Sequence, residues 1–270
     1  MRLGHLMAVA LALAPTAATA QTASPIVIGQ SYPLASKIMG VDRTINVYLP
    51  PSYATSTARY PVVYLLDGGV AQDFHHISGL AQLGPIADTM REVIVVGIET
   101  VDRQSELTFK PVHDAKLAAD YPNAGRSARF RRFVADEVKP WVAAHYRTDD
   151  DDALMGESLA GLFVVETLLR EPGLFRRYVA VSPSLWWDNG ALNAAAPPLI
   201  AGLGDRERWL YLTVANERGM GVDTFAEALK AAPKSLHWRF VPRPRETHGT
   251  TFHYAALEAL RVFYPASEAK

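Results

Sequence analysis

Five short apolar runs that do not alternate constrain this chain more than any other feature. Residues 61–66, 93–98, 153–156, 178–181 and 210–214 are built mainly from Val, Ile, Leu, Tyr and Ala, with almost nothing polar inside them. A strand with one wet face alternates apolar and polar residues, whereas a strand covered on both faces need not. Between these runs the apolar spacing changes to three and four. Phe130, Phe133, Val134, Val138, Trp141 and Val142 line one side of a predicted helix over 127–146, kinked near Pro140. Residues 159–171, 222–231 and 252–263 have the same texture, and 236–242 reads as a last strand. Alternating strands and helices predict an α/β fold, a mostly parallel central sheet with helices on both faces. Two segments differ. Residues 27–39 and 43–49 alternate, are separated by Gly40-Val41-Asp42, and end at Pro50-Pro51. They predict an N-terminal antiparallel hairpin at one sheet edge, its second strand half-buried.

The first twenty residues stand outside this scheme. A single charge at Arg2, an apolar run over 6–14 and the small-x-small site Ala18-Thr19-Ala20 make a secretory signal peptide, with one α/β domain following over 21–270. The apolar run is too short to anchor in a bilayer. Bacterial periplasm or secretion is the expected address. The chain carries 27 basic and 28 acidic residues, so no basic excess favours nucleic acid or a membrane surface as partner. It has no cysteine, which removes a thiol nucleophile and a thiolate metal site.

In an open parallel sheet, chemistry gathers at the carboxyl ends of the strands. At the end of the 153–156 run stands Gly156-Glu157-Ser158-Leu159-Ala160-Gly161, leading directly into a helix. A serine on a strand-to-helix turn, flanked by tiny residues, is the layout of a nucleophile elbow, because chain crossing there leaves room for little beyond hydrogen or methyl. A tight structural turn has the same look, so the remaining chain must supply a base, an acid and an oxyanion hole.

Three histidines follow Ser158. His237 opens the last strand at its amino end, the wrong edge, while His248 lies in the loop beyond that strand's carboxyl end. His248 is therefore the predicted base, and His253, inside the final helix, a packing or substrate-contact residue. Glu217 is the first carboxylate past the 210–214 strand and the first choice of orienting acid. Asp223 and Glu246 stand behind it, and an ion pair with Arg218 or a helix cap is the other use of Glu217. The oxyanion donors are expected at the N–H of Leu159, after the nucleophile, and at Gly69 in Asp67-Gly68-Gly69, with Asp67 holding that loop.

Other conspicuous residues have plainer readings. His75-His76 sits on a helix where neighbours do not share a face, so no metal pair is expected. Residues 149–152, four aspartates, read as a solvated acidic turn with weak calcium binding as its other use. Trp186-Trp187 either walls an apolar or aromatic acyl pocket or closes the core.

With these pieces placed, the chain resembles the Putative esterase family of α/β-hydrolases over roughly residues 30–265, nearest its exported enterochelin- and siderophore-esterase-like hydrolases. The resemblance rests on residues 43–50 (Arg-Thr-Ile-Asn-Val-Tyr-Leu-Pro), on Tyr64-Leu65-Leu66-Asp67-Gly68, on the elbow with Gly161-Leu162-Phe163, and on Thr247-His248-Gly249. It implies the α/β-hydrolase fold, Ser158 as nucleophile, His248 as base, and Gly69 and Leu159 as oxyanion donors. Ala160 stands where the pattern has glycine, and the family's acid varies. The expectation is a serine carboxylic-ester hydrolase working through an acyl-enzyme on siderophore-type lactones or other small acyl esters. Such an enzyme needs no metal and no organic cofactor, and its partner is a small-molecule ester. One rival passes the acyl group to an alcohol from the same Ser-His site. Another is a non-catalytic binder on this scaffold, with Arg103 and Lys110 meeting an anionic ligand rather than standing as solvated charges. Oligomeric state is left open.

Overall fold

Residues 23–266 are described by the computed structural model, so the predicted leader lies outside the described residues. One eight-stranded sheet organises them: β1 (Gln30–Ala35), β2 (Asp42–Tyr48), β3 (Tyr60–Leu66), β4 (Ile94–Ile98), β5 (Thr148–Glu157), β6 (Arg177–Val181), β7 (Arg208–Val214) and β8 (Leu236–Pro242). Their order is β1-β2-β4-β3-β5-β6-β7-β8. β1 and β2 pair antiparallel, β2 meets β4 antiparallel, and β3 to β8 with β4 are all parallel. The apolar runs are the inner strands, and β3 and β4 are buried along their whole length.

The connecting helices are α1 (Phe74–Ile86), α2 (Arg103–Leu107), α3 (Ala115–Asp120), α4 (Ser127–Phe133), α5 (Lys139–His145), α6 (Leu159–Arg170), α7 (Trp187–Ala201), α8 (Val222–Ala228) and α9 (His248–Phe263). α1 and α9 cover one face, packing Phe74, Ile77, Phe252 and Phe263 against Val63, Val95 and Met155. Phe130, Phe163, Leu192 and Phe225 cover the other face. This is the α/β-hydrolase arrangement, with every parallel strand ending at one common edge. Among the described residues no helix is long and apolar enough to cross a membrane.

Four sequence expectations change here. β2 is covered on both faces rather than half-buried. Arg43 lies on the same face as Ile45 and Val47 and is itself buried. Over 127–146 the helix is interrupted by a π turn at Val134–Val138, where the Lys139 N–H reaches back to the Val134 carbonyl. Pro140 has no N–H to continue the α ladder, and the wider turn absorbs the gap. The four aspartates are strand, not a solvated turn. Asp151 accepts from Arg177 Nε at 2.5 Å, and Asp152 from Lys139 Nζ at 2.6 Å. Finally, α9 begins at His248, one turn earlier than its apolar spacing indicates. A reciprocal cap between Thr247 and Thr250 starts it there.

Candidate active site

β5 runs straight into α6 with no loop, and Ser158 makes the turn. Its backbone sits at φ 62°, ψ −119°, a conformation that costs a non-glycine residue about 1–3 kcal/mol. The Ser158 N–H donates to the Val181 carbonyl at 2.9 Å, and its carbonyl accepts from Leu162 at 2.9 Å and Ser184 at 3.0 Å. These three bonds fix the turn from both sides and leave Oγ at the strand-end edge.

The small residues around it are there for close approach. A Cβ on Gly156 would lie 2.6 Å from the Ala160 Cβ, and one on Gly161 would lie 2.9 Å from the Val181 carbonyl oxygen. Ala160 therefore fits because position 156 is glycine: one methyl fills a space that two cannot share. Gly156→Ala is expected to destabilise the fold by about 1–3 kcal/mol through overpacking. A denaturant midpoint equal to wild type would show that the crossing is looser than this.

His248 and Glu217 arrive from separate strand ends and meet. The Asn216 N–H donates to the Glu246 carbonyl at 2.9 Å, and the Arg243 N–H to the Val214 carbonyl at 2.8 Å. Those bonds tie the loop after β7 to the loop after β8. His248 Nδ1 is hydrogen-bonded to Glu217 Oε1, and Ser182 Oγ donates to Glu217 Oε2 at 3.5 Å. An ionised carboxylate only accepts, so Nδ1 carries the proton and Nε2 presents its lone pair. Asp223 lies in the first turn of α8, and Glu246 accepts from Thr250 Oγ1. Of the three candidate acids, Glu217 is the one joined to His248. No hydrogen bond links Ser158 to His248 among the described residues; the Ser158 hydroxyl lies 3.4 Å from Ser184 Oγ.

The two oxyanion candidates differ. Leu159 is the first residue of α6, where N–H groups have no partner within the helix and the dipole favours negative charge. The Gly69 N–H is occupied, donating to Gln72 Oε1 at 2.8 Å. Gln72 is itself held through Nε2 by the Thr100 carbonyl and hydroxyl, each at 3.1 Å. The glycines of this loop do not supply an unusual φ, since Asp67 takes the positive φ of 51°. Gly68 is required by contact instead: a Cβ there would lie 2.3 Å from the Gly97 Cα. Asp67 holds the loop, accepting from Thr100 Oγ1 and, at 2.8 Å, from Arg103 Nε.

Arg103 therefore spans the ends of β3 and β5, its second contact a 3.3 Å bond to the Glu157 carbonyl. Trp186 is 41% exposed, two residues beyond Ser184, and stands at the rim. Trp187 does not line a pocket. It is 1% exposed, and its indole N–H donates to the Phe109 carbonyl at 2.9 Å. Beside it, buried Asp188 Oδ1 accepts the backbone N–H groups of Val112, His113 and Asp114, so this corner clamps the 101–126 loop. His253 pairs with His76, Nδ1 to Nε2 at 3.0 Å, the rings stacked. Among the described residues no cluster of three or more His, Cys, Asp or Glu is arranged to hold a metal.

Two clefts open at this edge. One of about 350 Å³ lies beside Glu217 and Asp223, and one of about 340 Å³ beside Glu157, His76 and Thr250. A larger hollow of about 500 Å³, lined by Lys139, Thr148 and Asp150, lies at the opposite, amino-end edge of the sheet. Glu157 is the residue the sequence left without a role. Burial pushes its carboxyl up to about 8, Asp73, Glu217 and Asp67 push the same way, and Arg103 opposes them.

The sequence profile of the Putative esterase family matches residues 36–256. The chain belongs to this family. Among curated relatives, the ferri-bacillibactin esterase BesA of Bacillus subtilis is 32% identical over 165 residues, 54% of this chain and 56% of BesA. A siderophore enterobactin esterase of Emericella nidulans is 35% identical over 85 residues, 29% of this chain and 27% of the relative. The match thus spans about half of one relative and about a quarter of the other. Among solved structures, an IroE-like serine hydrolase from Shewanella oneidensis superposes with a TM-score of 0.80 at 30% identity, covering 87% of this chain and 80% of that one. The BES protein of Bacillus cereus gives 0.79 at 24% identity over 92% and 99%, a likeness of fold. Membership of the Putative esterase family agrees with the resemblance carried by residues 43–50, the elbow and Thr247-His248-Gly249.

Proposed function

We propose that this member of the Putative esterase family is an exported serine carboxylic-ester hydrolase that works through an acyl-enzyme. The observation that carries the reading is the left-handed backbone of Ser158 at the β5–α6 junction, on the edge where His248 and Glu217 pair. Backbone strain at a serine with no packing use is a mark of a functional site.

In the proposed reaction His248 Nε2 takes the Ser158 proton as Oγ attacks the ester carbonyl. For this the Ser158 hydroxyl leaves Ser184 and turns to the imidazole. Leu159 N–H receives the oxyanion, joined by Gly69 N–H once the Gln72 carboxamide gives it up. His248 then passes its proton to the departing alkoxide, which leaves as the alcohol. Water, deprotonated by His248, attacks the acyl-enzyme carbonyl; the acid departs and Ser158 is restored. Glu217 holds the imidazole in one tautomer throughout, and no step calls for a metal or an organic cofactor. The relatives named as siderophore esterases support siderophore-type lactones and small acyl esters as the substrate class.

A fluorophosphonate probe tests the reading directly. Wild-type protein should be labelled at Ser158 and Ser158→Ala should not; an unlabelled wild type would overturn the nucleophile. For the acid, Glu217→Gln is expected to lower kcat by about 10³–10⁴-fold with KM little changed. Asp223→Asn and Glu246→Gln should stay near wild type. A larger loss in either of those than in Glu217→Gln would move the acid.

A further inference from the structure

Glu157 sits in the middle of the elbow and takes no part in the reaction above. On β5 its side chain follows Ala153 and Met155 towards the α1 and α9 layer, and it is the last residue of that row before the edge. There it forms the floor of the 340 Å³ cleft with Asp73, His76, Thr250, Phe252 and His253. Glu157 Oε1 is buried and has no hydrogen-bond partner among the described residues. A carboxyl with one oxygen buried and unpaired, on the lining of an open cleft, is costly to keep for packing alone. No arginine or lysine lines the cleft.

We propose, resting on the esterase reading, that this cleft is a subsite of the same active centre for the alcohol portion of the ester, and that Glu157 is the residue that reads it. Three observations carry the assignment. Glu157 adjoins the nucleophile in the chain, so a group bonded to it lies within reach of an acyl carbon on Ser158. Gly249 and Thr250, which also line the cleft, directly follow His248, the group that hands a proton to the departing alcohol. The charges facing Glu157 sort the ligands. Asp73 before α1 and Glu217 after β7 are acidic, as is Asp67 after β3. His76 on α1 and His253 on α9 share one hydrogen bond, and the Arg103 guanidinium is bound to Asp67. A neutral alcohol portion bearing hydroxyl or amide groups finds a donor and an acceptor on Glu157 and aromatic rings on the walls. A carboxylate there meets Asp73 and Glu217, and the nearest guanidinium, Arg103, lies outside the lining and is already paired with Asp67. Burial above all, with Asp73, Glu217 and Asp67 beside it, keeps Glu157 uncharged at neutral pH against the pull of Arg103, and its ionisation on the alkaline side sharpens the discrimination.

The test compares the butyrates of p-nitrophenol and of a carboxylated nitrophenol, which differ by one anionic group on the alcohol side. In wild type the ratio of kcat/KM, neutral over anionic, should exceed one and rise roughly fivefold between about pH 7 and about pH 9 as Glu157 gains its charge. In Glu157→Gln, which keeps a neutral hydrogen-bonding group, the ratio should stay flat across that range. Taking a ratio cancels the titration of the catalytic base, and a merely structural glutamate would not move it. Placing the carboxylate on the acyl side instead, as in p-nitrophenyl hemiglutarate, should give the same pH trend in both proteins. A flat ratio in wild type, or an equal rise in wild type and Glu157→Gln, would overturn the subsite while leaving the esterase standing. A wild type inert on every ester and unlabelled by the fluorophosphonate would overturn both.

Discussion

Ser158→Ala is expected to lower kcat on short p-nitrophenyl esters by about 10⁴–10⁶-fold, with stability within about 1 kcal/mol of wild type. The catalytic part follows from chemistry. Without Oγ there is no acyl-enzyme, and only the oxyanion donors and binding remain to speed direct attack by water. The stability part follows from the turn. Three backbone hydrogen bonds hold residue 158, and none of them uses the side chain. Alanine meets the same penalty as serine at φ 62°. Glycine does not, so Ser158→Gly should be equally inactive and more stable than wild type by about 1–3 kcal/mol. That opposite movement of activity and stability separates a strained nucleophile from a structural turn residue. Measuring kcat and the denaturant midpoint for both variants checks it. Activity near wild type in Ser158→Ala, or a Ser158→Gly protein less stable than wild type, would contradict the elbow.

The inner strands were legible because burial on both faces leaves 61–66 and 93–98 apolar throughout, so that they stand out from their surroundings. That Ser158, His248 and Glu217 lie at one sheet edge was legible for a related reason: each is the first residue of its kind at or beyond a strand's carboxyl end. What the sequence hid depends on partners far away in the chain. Nothing local says that Asp151 faces Arg177 and Arg91, so four aspartates read as solvated. Nothing local places Trp187 under the Phe109 carbonyl, or Gln72 on the Gly69 N–H. Ser184 had no signal beyond its place near the end of β6. Glu157 had one, its position in the elbow. Its meaning appears only when Asp73, from before α1, and Glu217, from after β7, arrive beside it.

Arg43 is a buried charge whose partner is also distant in the chain, and loss of that partner, Glu106, carries the largest expected stability effect. Two-residue periodicity puts Arg43 in line with Ile45 and Val47, on the face that packs against the helices. Its side chain is 2% exposed, and that of Glu106, in α2, is 6% exposed. The guanidinium donates to both carboxylate oxygens, at 2.6 and 2.9 Å, and to the Glu99 carbonyl at 2.7 Å, with the Phe130 and Phe133 rings 5.8 Å away. Glu106→Ala should cost about 3–5 kcal/mol, because it leaves a buried arginine without its counter-charge. For a chain of this length that is a fall in Tm of about 10 °C. The double replacement Arg43→Met with Glu106→Leu should recover most of the loss, since a matched apolar pair has no charge to desolvate. Thermal unfolding of the single and double variants decides it, and a single variant within 1 kcal/mol of wild type would show the pair to be hydrated. The same cycle bears on catalysis. Glu106 Oε2 also accepts the Val101 N–H at 3.1 Å, so the pair fixes the strand-end segment from Glu99 to Arg103. Gln72 and Asp67 bind Thr100, and Asp67 binds Arg103, in that same segment. Loss of the buried pair should therefore loosen the Asp67-Gly68-Gly69 loop before it unfolds the sheet, lowering kcat in Glu106→Ala well below its melting temperature.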